Sequence, residues 1–276
     1  MMVTKTTLGA LLVALTAAFQ ADSPRSGPND APQEITGTWA GRFSTDDARR
    51  PPRLQLTRDR RRGSWTSSVE LDPAQVRDIL ASTSGAGAVT FRIAREAGTL
   101  DFEGTVRGDG GSGIYTFRED PGFRDRMARA GFRGLDDDDV FAAAVHDVGT
   151  DGARRLGEMG FRDVDFDDLM SAAIFDVDEG LLQEAQAAGF GRPDLEDLVA
   201  MRIHGVTRDF LEGMSEEGFH FEDLDDAMAF RIHGITREYL RELRQDGFTD
   251  LDADEVLRIR IHGLDRILRK RRGGSD

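Results

Sequence analysis

The sequence predicts an α+β chain in two parts: a small antiparallel β-sheet or half-barrel, then an all-α solenoid of five 29-residue helix-pair repeats. Three observations carry this. Gly131-Phe132, Gly160-Phe161, Gly189-Phe190, Gly218-Phe219 and Gly247-Phe248 follow one another at a constant step of 29 residues. His146-Asp147, Phe175-Asp176, His204-Gly205, His233-Gly234 and His262-Gly263 keep the same step. Before them, residues 35–118 alternate apolar and polar positions with period two. Exact returns without insertions mark stacked supersecondary units, and strict alternation marks strands with one buried face.

The chain opens with Lys5 and an almost wholly apolar run, Leu8–Phe19. This is the pattern of a secretory signal peptide over residues 1–21, short for a membrane span. Ala18, with Thr16 two residues before it, fits the small-residue cleavage rule better than Ala21, which has Phe19 in that place. The competing reading is a short N-terminal anchor. Residues 22–34 read as a linker rich in proline. The chain has no cysteine, which suits an exported protein that avoids redox chemistry. The expected location is periplasmic or secreted, with no stable membrane span once the signal is removed.

Residues 35–120 form the expected β domain. The alternating runs are Ile35–Phe43, Leu54/Leu56, Trp65–Leu71, Val89–Ile93, Leu100–Val106 and Gly113–Phe117. Six such runs between turn residues indicate an antiparallel sheet with one buried face. Asp72-Pro73 before Val76, Ile79 and Leu80 predicts a short helix with proline at its first position. Gly108-Asp109-Gly110-Gly111-Ser112-Gly113 has dinucleotide-binding spacing. It joins two strand patterns, so no helix N-terminus is present to hold a pyrophosphate, and it reads as a hairpin turn.

Residues 121–265 hold the repeats. In the fourth, Thr207 suits an N-cap and Asp209 the positive end of the dipole. Val206 and Leu211 are placed as a hydrophobic staple, as are Val177/Leu182 and Ile235/Leu240. Gly218 ends the first helix in the left-handed conformation, and Asp223 or Asp225 caps a second. The second helices carry Ala227, Met228, Phe230 and Ile232, matched by Leu198, Val199, Met201 and Ile203 and by Val256, Leu257, Ile259 and Ile261. This uninterrupted apolar pattern is expected to be buried.

Charge divides the chain. Residues 121–265 hold 16 Lys/Arg against 35 Asp/Glu, a net of −19, and the tail 266–276 holds five basic residues and one acid, a net of +4. An acidic body repels phosphate backbones, which argues against a nucleic-acid partner and favours a basic protein surface or cations. Many of these acids are also expected at helix N-termini, where the dipole favours them.

Candidate chemistry is sparse. His146, His204, His233 and His262 share one repeat position, with Phe175 in the gap. Equivalent atoms of stacked helix pairs lie roughly 9–10 Å apart, and zinc needs nitrogens about 2 Å from the metal. These histidines therefore read as structural, in the last turn where a ring meets free carbonyls. Asp163-Val164-Asp165-Phe166-Asp167 starts like a calcium loop, but Asp168 stands where glycine is required and Ile174 where glutamate is. No metal, cofactor or catalytic residue is assigned. Arg49, Arg50, Arg53, Arg58, Arg60, Arg61 and Arg62 form the sharpest basic cluster. Of these, Arg58, Arg60, Arg61 and Arg62 are candidates for docking an acidic partner, including the chain's own repeats. The alternative is that they are solvated charges guarding a strand edge.

Gly37-Thr38-Trp39-Ala40, Arg95–Gly104, Gly111–Phe117 and the repeated Asp197-Leu-Val-Ala-Met-Arg-Ile-His-Gly-Val-Thr207 resemble a group of bacterial exported proteins. In that group a β domain precedes helical repeats ending R-I-[HF]-[GK]-[VI]. Similar modules follow membrane metallopeptidases of the antibiotic-sensing type. The first two repeats depart from the motif at Val145-His146-Asp147 and Ile174-Phe175-Asp176. The resemblance implies export and this architecture, hints at envelope signalling and transfers no catalytic residue.

The expected function is therefore non-catalytic binding of a protein or peptide on the repeat surface. The alternative is a sensor holding an apolar ligand near Trp39, Trp65, Phe91 and Phe102. An enzyme of unknown type is third.

Overall fold

A computed structural model describes residues 34–44, 51–60, 63–83, 86–249 and 251–263. The expected signal segment, the linker to residue 33, Arg61, Arg62 and the basic tail lie outside the described residues.

Six strands form one antiparallel sheet: β1 (Ile35–Arg42), β2 (Arg53–Arg60), β3 (Gly63–Glu70), β4 (Ala86–Arg95), β5 (Gly98–Arg107) and β6 (Gly110–Glu119). The order is β3-β2-β1-β6-β5-β4. This is the order of an up-and-down meander opened between β3 and β4, and helix α1 (Pro73–Thr83) carries the chain across that opening. Proline begins α1 as expected, because its missing N–H is one of the unpaired donors of a first turn. Gly108 and Asp109 join β5 to β6 as a two-residue hairpin turn, with Gly108 at φ 60°.

The buried face carries the alternation. Trp39, Phe102, Tyr115 and Phe117 are fully buried on it. Trp39 lies edge-on to Phe91 and Phe102, which stack on each other at 4.6 Å. Gly104 makes room for the indole, since a Cβ there would come within 2.7 Å of Trp39.

Ten helices follow α1 among the described residues. They are α2 (Phe123–Arg129), α3 (Asp137–His146), α4 (Thr150–Glu158), α5 (Phe166–Ile174), α6 (Glu179–Ala187), α7 (Leu195–His204), α8 (Arg208–Glu216), α9 (Leu224–Ile232), α10 (Arg237–Gln245) and α11 (Ala253–His262). Helices α3, α5, α7, α9 and α11 touch in series. Helix α3 also meets β3, β5 and β6. Its Phe141 is fully buried and packs on Trp65, Tyr115 and Phe117 at 5.0, 5.8 and 5.4 Å. One hydrophobic core thus runs from the sheet through α2 and α3 to Leu195.

Local chemistry explains the helix limits. Asp136, Asp165, Asp194, Asp223 and Asp252 cap α3, α5, α7, α9 and α11, each accepting from the backbone N–H three residues on. Much of the acid of this chain is therefore spent on helix starts. Asp178, Thr207 and Thr236 cap α6, α8 and α10. Helix α4 begins at Gly149, which has no side chain to offer. There the turn after β4 supplies the acceptor: Glu96 takes the Thr150 N–H at 2.8 Å and also binds Arg126 of α2. Gly218 closes α8 at φ 74°.

One expectation fails. Ile203, Ile232 and Ile261, assigned to the buried face, are 42, 49 and 55% accessible, and Ile174 at the same position is 41% accessible. Each stands in the last turn of a second helix.

Candidate functional site

Two grooves of unequal size lie at the same repeat position. The larger, about 620 Å³, opens between α6 and α8, over Leu211, Phe190, Phe219 and Phe221. The smaller, about 250 Å³, lies one repeat later beside α10, over Leu240, Phe219 and Phe248. Their difference traces to single residues. In the second groove, Glu217 receives Arg241 and, at 2.9 Å, Arg244. These guanidiniums hold the Glu217 carboxyl below its ordinary pKa, Arg241 contributing most. In the first groove the equivalent positions are Ala188 and Ser215. One repeat earlier they are Met159 and Gln186, and Met159 packs against the cores on both sides. Among the last three interfaces, two small side chains coincide only at this one, which leaves the groove open; the first such pair, Ala130 and Gly157, lies between α2 and α4, which Glu96 bridges through Arg126 and Thr150.

The open groove has a firm floor. Phe221 stacks on Phe210 at 6.0 Å and meets Phe230 edge-on at 4.9 Å, and Phe219 lies 5.7 Å from Phe221. Its rim is charged on both signs, with Arg208 bonded to Glu212 at 2.6 Å and Glu184 nearby. An apolar floor with a mixed polar rim suits a polypeptide side chain group more than a small anion or a metal.

The sequence-derived candidates are dispersed. Arg58 on β2 bonds Asp138 in the first turn of α3 at 2.8 Å and lies over the Phe141 ring. It ties the sheet to the first repeat. Arg60 ends β2, and Arg61 and Arg62 fall outside the described residues. His146 is half-buried, accepts or donates a 3.0 Å bond with the Ser67 hydroxyl of β3, and is pushed below the ordinary histidine pKa by burial. Among the described residues no carboxylate bonds its ring, so Ser67 and His146 lack the third member of a nucleophilic triad. His204 is half-buried, while His233 and His262 are exposed. Among the described residues no group of His, Asp and Glu is arranged to hold a metal ion.

The motif arginine does what the histidines were expected to do. Arg202 donates to the Asp176 carbonyl at 3.0 Å, Arg231 to the His204 carbonyl at 3.2 Å, and Arg260 to the His233 carbonyl at 3.0 Å. Each arginine thereby satisfies a free carbonyl at the end of the preceding second helix, where a cation also suits the dipole. Arg231 and Arg260 lie over the rings of Phe210 and Tyr239 as well. The sequence signal was present, because these arginines recur every 29 residues and give way to alanine at Ala144 and Ala173.

The carboxylates of the N-terminal turns press on one another. Burial, then neighbouring acids, raises Asp139, Asp167 and Asp197, and Asp226 is pushed up to about 6. Compared with known proteins, the chain matches no family model, no curated sequence and no solved structure.

Proposed function

We propose that this chain is an exported, non-catalytic binding protein. Its helix pairs stack as a solenoid of five 29-residue repeats behind a β half-barrel, and the groove between α6 and α8 receives a polypeptide partner. The observation that carries this reading is the opening of one inter-repeat groove where its neighbour is filled by an ion-pair cluster. Stacked repeats present extended surfaces of this kind, and local departures from the repeat locate the contact. The interior of the sheet supports the ligand reading less well: Trp39 and Phe102 are buried against each other, and Phe141 of α3 packs into the same layer.

The test closes the groove by copying the filled one. A displayed random-peptide library is selected against the full chain, and the enriched peptides are then titrated against wild type and the double variant Ala188→Glu/Ser215→Arg. Both positions are exposed, so the variant keeps the fold. Peptides that bind wild type and lose about tenfold or more on the variant, some 1.4 kcal/mol, support the reading. Absence of enrichment, or equal binding to both proteins, overturns it.

A further inference from the structure

The second helices carry a surface that the groove does not explain. Ile174, Ile203, Ile232 and Ile261 recur every 29 residues and are all exposed. Single exposed aliphatics are ordinary, but a periodic row of four on helices that touch in series forms a continuous line. Seven residues before each isoleucine stands an exposed acid: Asp167, Glu196, Asp225 and Asp254. Positions i and i+7 lie on one helix face, two turns or about 10.5 Å apart. Between them, three residues before the isoleucine, α5, α7 and α9 place Ser171, Ala200 and Ala229, which rise little above the backbone. Over α5, α7 and α9 the face is a shallow trough with an aliphatic rail on one side and an acidic rail on the other; on α11 the exposed Arg258 stands in the floor position and closes that end.

We infer that this trough docks an extended, basic segment of a partner protein that carries an aliphatic side chain at every third residue. Spacing fixes the period. Packed helices lie about 8–10 Å apart, so the isoleucines recur at about that distance. A polyproline-type strand rises about 3.1 Å per residue and returns to the same face every three residues, after about 9.3 Å. A β-strand returns after about 6.7 Å and falls out of step. Charge fixes the sign. The acids of successive helices are near enough to interact: beyond the effect of burial, Asp225 raises the pKa of Asp197 and Asp254 that of Asp226. A lysine or arginine placed between them relieves that repulsion. Arg202, Arg231 and Arg260 stand beside the isoleucines, but they are bonded to helix-end carbonyls and offset the negative pole there. The acidic rail also argues against an anionic membrane as the occupant. This surface belongs to the second helices, not to the α6/α8 groove, so it stands or falls independently of that groove.

The experiment uses the full chain and three fluorescent twelve-residue peptides in anisotropy titrations: one repeating Leu-Arg-Lys, one repeating Leu-Glu-Asp, and one repeating Leu-Arg so that leucine recurs every second residue. The first is expected to bind most tightly, and its affinity is expected to fall as salt rises past about 0.1 M, where the Debye length shrinks below about 10 Å. Ile203→Asp/Ile232→Asp is expected to weaken it about tenfold or more, with an unchanged far-UV spectrum and melting temperature because both side chains are exposed. Equal binding of the acidic peptide overturns the charge argument, and equal binding of the second-residue peptide overturns the spacing. Loss with Ala188→Glu/Ser215→Arg but not with the isoleucine variant places peptide binding in the groove and overturns this inference alone. Tighter capture by phosphatidylserine vesicles than by the peptide, also lost in the isoleucine variant, shows a membrane surface instead and overturns it as well.

Discussion

Asp226 offers the most direct test of how the acidic helix starts are held together. It occupies the third position of α9, where its backbone N–H bonds Asp223 at 3.0 Å. In α3, α5, α7 and α11 the equivalent side chain returns the favour, accepting from the backbone of the capping aspartate. In α9 that reciprocal bond is not formed. The Asp226 carboxylate is half-buried and faces Asp223, Asp254, Glu222 and Asp225, and its pKa rises from 3.8 to about 6. The folded state therefore keeps a proton that the unfolded chain releases. Stability from this group is full below pH 3.8 and is lost as pH climbs through about 6. At full weight such a shift is worth about 3 kcal/mol, and solvent screening at this half-exposed site reduces it to about 1 kcal/mol.

Asp226→Asn removes the charge and keeps the shape. Urea unfolding of wild type and variant at pH 4 and pH 7 measures the effect. The two proteins are expected to match within a few tenths of a kcal/mol at pH 4, and the variant to be more stable by about 1 kcal/mol at pH 7. Asp197→Asn is the control, because Asp197 accepts from the Asp194 N–H at 3.1 Å and its replacement weakens a bond in use. A variant that is less stable at both pH values, or a gain that does not change with pH, refutes the reasoning.

Two further substitutions probe the helix ends. Gly218→Val is expected to cost about 1–2 kcal/mol through backbone strain alone, since a Cβ there meets nothing within 4 Å and only φ 74° resists it. An unchanged urea midpoint contradicts the left-handed assignment. Asp176→Gly is expected to stabilise by about 0.5–1 kcal/mol, because Asp176 sits at φ 50° where Gly205, Gly234 and Gly263 end the later second helices, and the relief exceeds the added freedom of the unfolded chain. A lower melting temperature shows instead that the aspartate side chain holds that turn.

The helix starts and stops were legible because their causes are local. A glycine at a fixed step, an aspartate three residues before its backbone donor and a staple across the cap need no distant partner. The six strands were legible for the same reason, through alternation and hairpin glycines. The exposed isoleucines were not, because an apolar residue at helical spacing reports a face and not what covers it. Phe141 was not read as part of the sheet's core, since nothing near Asp137–His146 in sequence names Tyr115 or Trp65 as its neighbours. Glu96 was missed as the cap of α4 because the acceptor is supplied 54 residues away. The arginine ladder sat in plain view in the R-I-H phrase, but its target carbonyls belong to the preceding repeat.

The 29-residue period of the sequence lets what holds the chain together be followed column by column. Positions that hardly vary, such as the aspartate caps of the second helices and the glycines that close the first, recur in every 29-residue unit and say little about a partner. The arginine column begins only at Arg202, where the sheet no longer supplies contacts; earlier helix pairs are tied by Glu96, Arg58 and Arg124 instead. The column of Met159, Ala188 and Glu217 behaves differently, because its middle member gives up filling the interface and nothing replaces it. Leaving that apolar floor uncovered sacrifices burial that either neighbour achieves, and burial is the main stabilising term available to so short a helix pair. On the proposed function, that uncovered floor is the surface a partner would bury.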